Sequence, residues 1–229
     1  MGGDKSLKIK HIDGPGAFQT AFAVSRETVA RLETYAALLK RWQKTINLVA
    51  PSTLDDVWHR HFADSAQLAH YGAENTQHWL DLGSGAGFPG LVLAIMAAEQ
   101  GGTRHTLIES DTRKAAFLRE VARETGVAVE IVADRIELPR TPASVGEVNR
   151  VTARALAPLP RLLPLVAPYF GVATVGLFLK GRDVAAELEE AARSWTFQSE
   201  LLPSLTDREA RVLRLSALSK SGSSHKALK

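Results

Sequence analysis

The chain has 229 residues, 45% of them apolar and 23% charged, with 28 basic side chains against 25 acidic ones, a formal net charge of +3 and no cysteine. This length suits one domain with a terminal extension, and the apolar fraction supports a packed core and excludes disorder of the whole chain. The lack of cysteine excludes disulfides, thiolate zinc sites, thiol redox chemistry and a cysteine nucleophile.

Residues 1–24 mix Gly14, Pro15 and Gly16 with scattered lysines and show no sustained period, which reads as a flexible lead-in. Its first residues fit the N-myristoylation pattern through Gly2 and Ser6, a pattern short enough to arise by accident, and no secretion-type apolar segment accompanies it. After Ser25, a suitable N-cap, the apolar residues Val29, Leu32, Tyr35, Leu39, Trp42 and Ile46 recur every three or four positions and mark an amphipathic helix. Ser52 and Thr53, each followed three residues later by an aspartate, open a second helix running to about residue 71. Residues 25–75 therefore form N-terminal helices packed on whatever follows.

From residue 76 the pattern changes to short apolar runs alternating with helices, which is βαβ patterning and an α/β fold. Strands are predicted at 78–82, 106–109, 127–132, 148–152 and 173–179. Helices are predicted at 90–98, 111–125, 159–169 and 184–194. Apolar runs of this kind imply a sheet covered on both faces. Residues 197–202 and 211–215 read as two further strands, one of them antiparallel, and close a core of 76–218. The tail, 219–229, is polar, basic and expected to be disordered. The longest apolar stretches, 91–98 and 162–179, are too short or too interrupted by proline and glycine to span a bilayer. The pI near 9.3 reflects a majority of arginine among the cations. Arg113, Lys114, Arg119 and Arg123 share one predicted helix, and Arg150, Arg154, Arg161, Lys180 and Arg182 lie in or near predicted loops. Such residues suit either phosphate neutralisation or a solvated surface.

The most informative stretch is Leu80-Asp81-Leu82-Gly83-Ser84-Gly85-Ala86-Gly87-Phe88-Pro89-Gly90, between an apolar strand and a helix. Glycines let the backbone approach a ligand closely, and the following helix presents free amides. Gly85, Gly87 and Gly90 also satisfy G-x-G-x-x-G, so a dinucleotide has to be weighed. Asp81, at the strand's carboxyl end, suits the cationic amino-acid end of S-adenosylmethionine and would repel a pyrophosphate. Glu109, ending the next strand, can accept ribose hydroxyls in either case. Two helices ahead of the first strand also favour S-adenosylmethionine, by analogy of fold. His59 and His61, two apart, point about 200° apart on a helix and cannot share an ion. His61 and Asp64 share a face and read as pocket wall or capping, and no metal is expected.

With Asn47-Leu48-Val49 and Ser52-Thr53-Leu54, Arg60 to Ser65 (Arg-His-Phe-Ala-Asp-Ser), the loop from Leu80 to Gly90, Arg135-Ile136-Glu137, Thr152-Ala153-Arg154-Ala155 and Leu179-Lys180-Gly181, the chain resembles the bacterial small-subunit rRNA methyltransferase G family over about residues 25–215. The resemblance implies a class I S-adenosylmethionine-dependent methyltransferase: a Rossmann-like, mostly parallel seven-stranded sheet with helices on both faces and an N-terminal helical extension. It implies methyl transfer to N7 of one guanine in 16S rRNA by a cytoplasmic monomer that works on the small ribosomal subunit, with no membrane and no metal. It assigns Asp81, Gly83, Gly85, Gly87, Phe88, Glu109, Ile136, Glu137 and Arg154 to the cofactor, with Arg154 the candidate catalytic residue, and Lys180, Arg135, His61 and Asp64 to the substrate. Methylation of a pyrimidine C5 would commonly need a cysteine, and methylation of an exocyclic amine often uses an Asn/Asp-Pro-Pro-aromatic motif where this chain has Thr152 to Ala155. Another RNA site, a small-molecule acceptor or a non-catalytic ribosome-binding module stand as alternatives.

Overall fold

A computed structural model of the protein describes residues 10–72, 77–138 and 140–222. The first nine residues, with Gly2 and Ser6, and the end of the basic tail lie outside these. Helix α1 (Pro15–Phe22) is followed by α2 (Arg26–Trp42), which Ser25 opens by accepting the Thr28 amide at 2.9 Å. The expectation of a structureless lead-in is corrected by α1: Pro15 occupies the first helical turn, where a missing N–H costs nothing, and Phe18 and Ile12 are buried. The single α-helix expected over 52–71 is also corrected. That stretch is a 3-10 turn (Pro51–Thr53), a π-wound segment (Trp58–Ala63), a short α3 (Asp64–Ala66) and a second 3-10 turn (Gln67–Tyr71).

Seven strands follow: β1 (His78–Leu82), β2 (Arg104–Ile108), β3 (Glu130–Val132), β4 (Arg150–Arg154), β5 (Val175–Lys180), β6 (Trp195–Pro203) and β7 (Arg211–Lys220). They form one sheet in the order β3-β2-β1-β4-β5-β7-β6, parallel except for β7, which runs antiparallel to both neighbours. All five residues of β1 are buried, as a strand covered on both faces requires. Helices α4 (Gly90–Ala97), α5 (Thr112–Thr125), α6 (Arg140–Val145), α7 (Leu159–Val166) and α8 (Val184–Ala191) cover the sheet. Asp111 caps α5 by accepting the Arg113 amide at 2.8 Å, and Gly126, at φ +66°, ends it.

The core falls on two sides. On one, Leu32, Tyr35 and Leu39 of α2 pack in a single cluster with Phe62, Leu91 and Ile95 and with Phe117 and Leu118 of α5. On the other, Leu80 and Leu82 pack with Val151, Leu162, Leu163, Phe178 and Leu213. The N-terminal helices thus share a core with the sheet, and this brings them against the loop that follows β1.

Candidate active site

Parallel strands that alternate with helices open a crevice at their carboxyl ends where the strand order reverses, here between β1 and β4. Gly83 (φ +64°), Gly85 (φ +56°) and Gly87 (φ +93°) turn the chain there in left-handed conformations. The first and last are also close approaches: a Cβ on Gly83 would lie 2.6 Å from Leu156 Cδ1, and one on Gly87 would lie 2.6 Å from the Tyr35 hydroxyl. Tyr35, fully buried on α2, donates that hydroxyl to the Ala86 carbonyl. Burial holds its own ionisation well above the usual phenol range.

Two carboxylates occupy the amides of this loop. Glu109, just past β2, accepts from Gly85 N at 2.7 Å and from Asp111 N at 2.8 Å. Asp81 accepts from Gly90 N, the first residue of α4, at 3.3 Å and from Thr152 Oγ1 at 2.8 Å. Burial pushes the Asp81 carboxyl up to about 6, against the hydrogen bonds that favour its charge. A pyrophosphate cradle needs such amides free. Here acceptors of like charge already stand on them, which disfavours a dinucleotide and suits a ligand whose charged centres are cationic.

The cavity above the loop measures about 430 Å3 and is lined by Gly83, Gly85, Phe88, Glu109, Arg135, Ile136, Glu137 and Arg154 among others. That size lies within the ordinary range of ligand pockets. Its far wall comes from the segment after β3, where Ile136 is buried, with its carbonyl accepting the Tyr169 hydroxyl at 3.2 Å, and Arg135 and Glu137 are exposed. Burial, with Glu137 and Asp134 nearby, pushes Tyr169 up to about 12.

Arg154 closes β4 beside the cavity. Its guanidinium lies 4.8 Å over the Phe88 ring centroid, donates Nη1 to the Arg60 carbonyl at 3.1 Å, and pairs with Asp64 Oδ2 at 3.4 Å and His61 Nδ1 at 2.9 Å. Because an arginine only donates, His61 Nδ1 is an acceptor and the ring proton sits on Nε2, which donates to Thr53 Oγ1 at 2.7 Å; Thr53 in turn donates to Ala50 O at 2.7 Å. Burial, followed by the charges of Arg154 and Arg60, lowers His61 to about 3. Phe88 stacks with Tyr35 (5.4 Å, 16°) and with His61 (4.8 Å, 17°). The π-wound turn places His61, Phe62 and Ala63 together in the core, and turns of this kind recur at functional sites. Ala155, directly after Arg154, holds φ +53°, the left-handed region that non-glycine residues seldom adopt.

Of the expected cofactor residues, Gly83, Gly85, Phe88, Glu109, Ile136, Glu137 and Arg154 meet at this cavity. Asp81 and Gly87 do not line it: Asp81 is 2% exposed and braces α4 from behind, and Gly87 packs on Tyr35 and Leu91. Of the expected substrate residues, Arg135 lines the cavity, and His61 and Asp64 stand behind Arg154 as its supports. Lys180 lies outside this cavity. Its ammonium, 2.7 Å from Glu187 Oε2 and 2.9 Å from Ala157 O, is buried under the loop after β4, since a buried charge needs a partner more than it needs solvent. Arg150, counted among loop cations, is likewise a buried strand residue. Lys114, Leu48 and Leu156 also line the cavity without having been singled out for it. Lys114 follows the N-cap Asp111 by three residues, which was the available signal. Among the described residues, no group of three or more His, Asp or Glu is placed to hold a metal, and no helix is long and apolar enough to cross a membrane.

The family model described as rRNA small subunit methyltransferase G matches residues 28–212. A protein of Rhodospirillum centenum named ribosomal RNA small subunit methyltransferase G is 54% identical over 205 residues, covering 90% of this chain and 91% of that one. Its namesake in Parvibaculum lavamentivorans is 50% identical over 202 residues, covering 88% of each. Among solved structures, a mutant of MtNAS in complex with S-adenosylmethionine is similar at TM-score 0.53 and 15% identity, over 93% of this chain and 85% of that one. That likeness is one of fold.

Proposed function

The chain belongs to the rRNA small subunit methyltransferase G family, and on that premise we propose that it transfers a methyl group from S-adenosylmethionine to N7 of one guanine in 16S rRNA, acting on the small ribosomal subunit. The observation that carries the cofactor reading is the occupation of the Gly85 and Gly90 amides by Glu109 and Asp81. These residues fit S-adenosylmethionine: the left-handed glycines carry no side chains of their own into the cavity, the space beside Gly85 is open of other side chains within 4 Å, and Leu156 and the carboxylate of Glu109 bound it. Bound there, the cofactor supplies an electrophilic methyl group on a sulfonium.

The chain's own work is then positioning. Glu109, with one lone pair left on each oxygen after its two backbone bonds, can accept ribose hydroxyls. Ile136 and Glu137 border the space for the adenine. Guanine N7 carries a lone pair and no proton, so no general base is required. The neutral imidazole nearest to Arg154 fits that absence, because both nitrogens of His61 are already engaged and its proton affinity is low. Arg154, held by four neighbours, keeps a fixed cation at the cavity's edge.

The test is incubation of the protein and labelled S-adenosylmethionine with small subunits from cells that lack the modification, then nuclease digestion and mass spectrometry of the nucleosides. The expected result is 7-methylguanosine at a single 16S position, lost in Arg154→Ala. Cofactor binding without transfer to any 16S guanine would reject the substrate.

A further inference from the structure

Beside the cofactor crevice lies a second cavity, about 550 Å3, bounded by the loop after β4 and by the ends of β5 and α8. Ala155, Leu156 and Leu165 line both, so the two are contiguous. The second holds one carboxylate, Glu187, on the first turn of α8. Its Oε2 accepts from the Leu159 amide at 2.6 Å and from Lys180 Nζ at 2.7 Å, and Lys180 is itself fixed by the Ala157 carbonyl. The Lys180 side chain is 8% exposed and that of Glu187 is 22% exposed. Every hydrogen bond to Glu187 among the described residues uses Oε2. One oxygen is thus anchored by two donors, while Oε1 keeps its lone pairs. Arg161, on the first turn of α7, lines the same cavity, is exposed, and has no ion pair among the described residues.

An anchored carboxylate with a free oxygen recognises adjacent N–H donors. Among the four RNA bases only guanine offers an N1–H next to an N2 amino group on one edge, and that edge lies across the ring system from N7. A base that turns N7 toward the cofactor crevice therefore turns these donors toward the far wall of the neighbouring cavity. Enzymes that act on a base in this way take it out of its stack, hold it between apolar side chains and read its Watson–Crick edge. Leu156 and Leu165 supply such apolar surface. We propose that this cavity receives the acceptor guanine, that Glu187 is its specificity-determining residue through the N1–H and N2 amino donors, and that Lys180 is a positioning residue that acts through Glu187. Arg161 at the rim suits the phosphate of the same nucleotide. This inference rests on the guanine-N7 reading above.

The test uses small subunits reconstituted with 16S rRNA in which the methylated guanine is retained or replaced by inosine, which keeps N7, O6 and N1–H and lacks the N2 amine. The full-length wild-type protein is expected to methylate inosine roughly tenfold or more slowly than guanine, the scale of a lost specific base contact. Glu187→Gln is expected to bind S-adenosylmethionine as the wild type does and to lose most of that guanine-to-inosine preference, its rate on guanine falling toward its rate on inosine. A merely structural role for Glu187 would slow both substrates alike. Equal rates of the wild type on the two RNAs, or an unchanged preference in Glu187→Gln, would overturn the assignment. No transfer to guanine by the wild type would instead defeat the functional reading on which it rests.

Discussion

Arg154 depends on a neutral imidazole, and this dependence has a measurable cost in acid. His61 accepts from Arg154 Nη2, so a proton on Nδ1 would set two cations against each other in a buried place. Burial and the two arginines lower His61 to about 3 in the folded protein, whereas an unfolded chain has the usual imidazole value of about 6.5. Between these values the unfolded state binds one more proton, so stability rises with pH there. The contribution is fully present above about pH 6.5 and drains away as pH falls toward 3. One pH unit corresponds to about 1.4 kcal/mol, so lowering pH from about 7.5 to about 5 removes about 2 kcal/mol. His61→Gln keeps an acceptor for Arg154 and a donor for Thr53 and does not titrate. His78 and His105, also lowered by burial, and Asp81, whose raised carboxyl acts in the opposite sense, are common to both proteins and cancel in the difference. Urea unfolding followed by tryptophan fluorescence at about pH 5 and about pH 7.5 should show the wild type losing about 2 kcal/mol relative to His61→Gln on acidification. A difference that stays constant across this range would mean that His61 is not the buried neutral partner described here.

Three substitutions probe the loop and its supports. Gly83→Ala forces a Cβ into a left-handed turn, at about 1–2 kcal/mol, and to within 2.6 Å of Leu156 Cδ1; calorimetry should show S-adenosylmethionine affinity reduced roughly tenfold, and an unchanged affinity would count against the cradle. Tyr35→Phe leaves the Ala86 carbonyl without its donor, which costs about 1–3 kcal/mol, and thermal unfolding should fall by roughly 2–10 °C. Glu109→Gln sets an amide N–H against either Gly85 N or Asp111 N; equilibrium dialysis should show cofactor binding weakened by tenfold or more, and full affinity would remove Glu109 from the site.

What was legible in the sequence was what burial dictates locally. A run of five buried residues ending in glycines, His78–Leu82, can only be an inner strand feeding a turn, and Asp111 with Gly126 bracket α5 by cap chemistry alone. The crevice residues Gly83, Gly85 and Glu109 were readable because strand ends and glycine turns fix where the chain meets a ligand, whereas Arg154 was legible only through the resemblance carried by Thr152-Ala153-Arg154-Ala155. What escaped depended on partners in other elements of the fold. Lys180 looks like a solvent-facing residue at a strand end until Glu187 and the loop after β4 close over it. Asp81 looks like a ligand for a cation until α4 and β4 are seen to bury it, 2% exposed, between Gly90 and Thr152. Gly14, Pro15 and Gly16 look like breakers, and only the pocket that takes Phe18 makes α1 worth forming. Nor does an apolar stripe say that the hydroxyl of Tyr35 reaches across 51 residues to the glycine loop.

Contacts from several distant segments converge on one ring. Phe88, 4% exposed, stacks with Tyr35 of α2 and with His61, and the guanidinium of Arg154 lies 4.8 Å from its ring centroid. Three separate parts of the chain, the first long helix, the π-wound turn and the end of β4, therefore set the position of the glycine loop together. Asp64, which pairs with Arg154, is in turn held by Gln67 and by Thr206 in the connection between the last two strands. The N-terminal helices are for this reason part of the site's framework. The charge at the edge of the crevice sits where it does because packing from the whole length of the chain holds it, and a side chain so constrained cannot drift when an RNA base enters beside it. Such preorganisation is what a reaction needs when alignment, and not proton transfer, is the protein's main contribution.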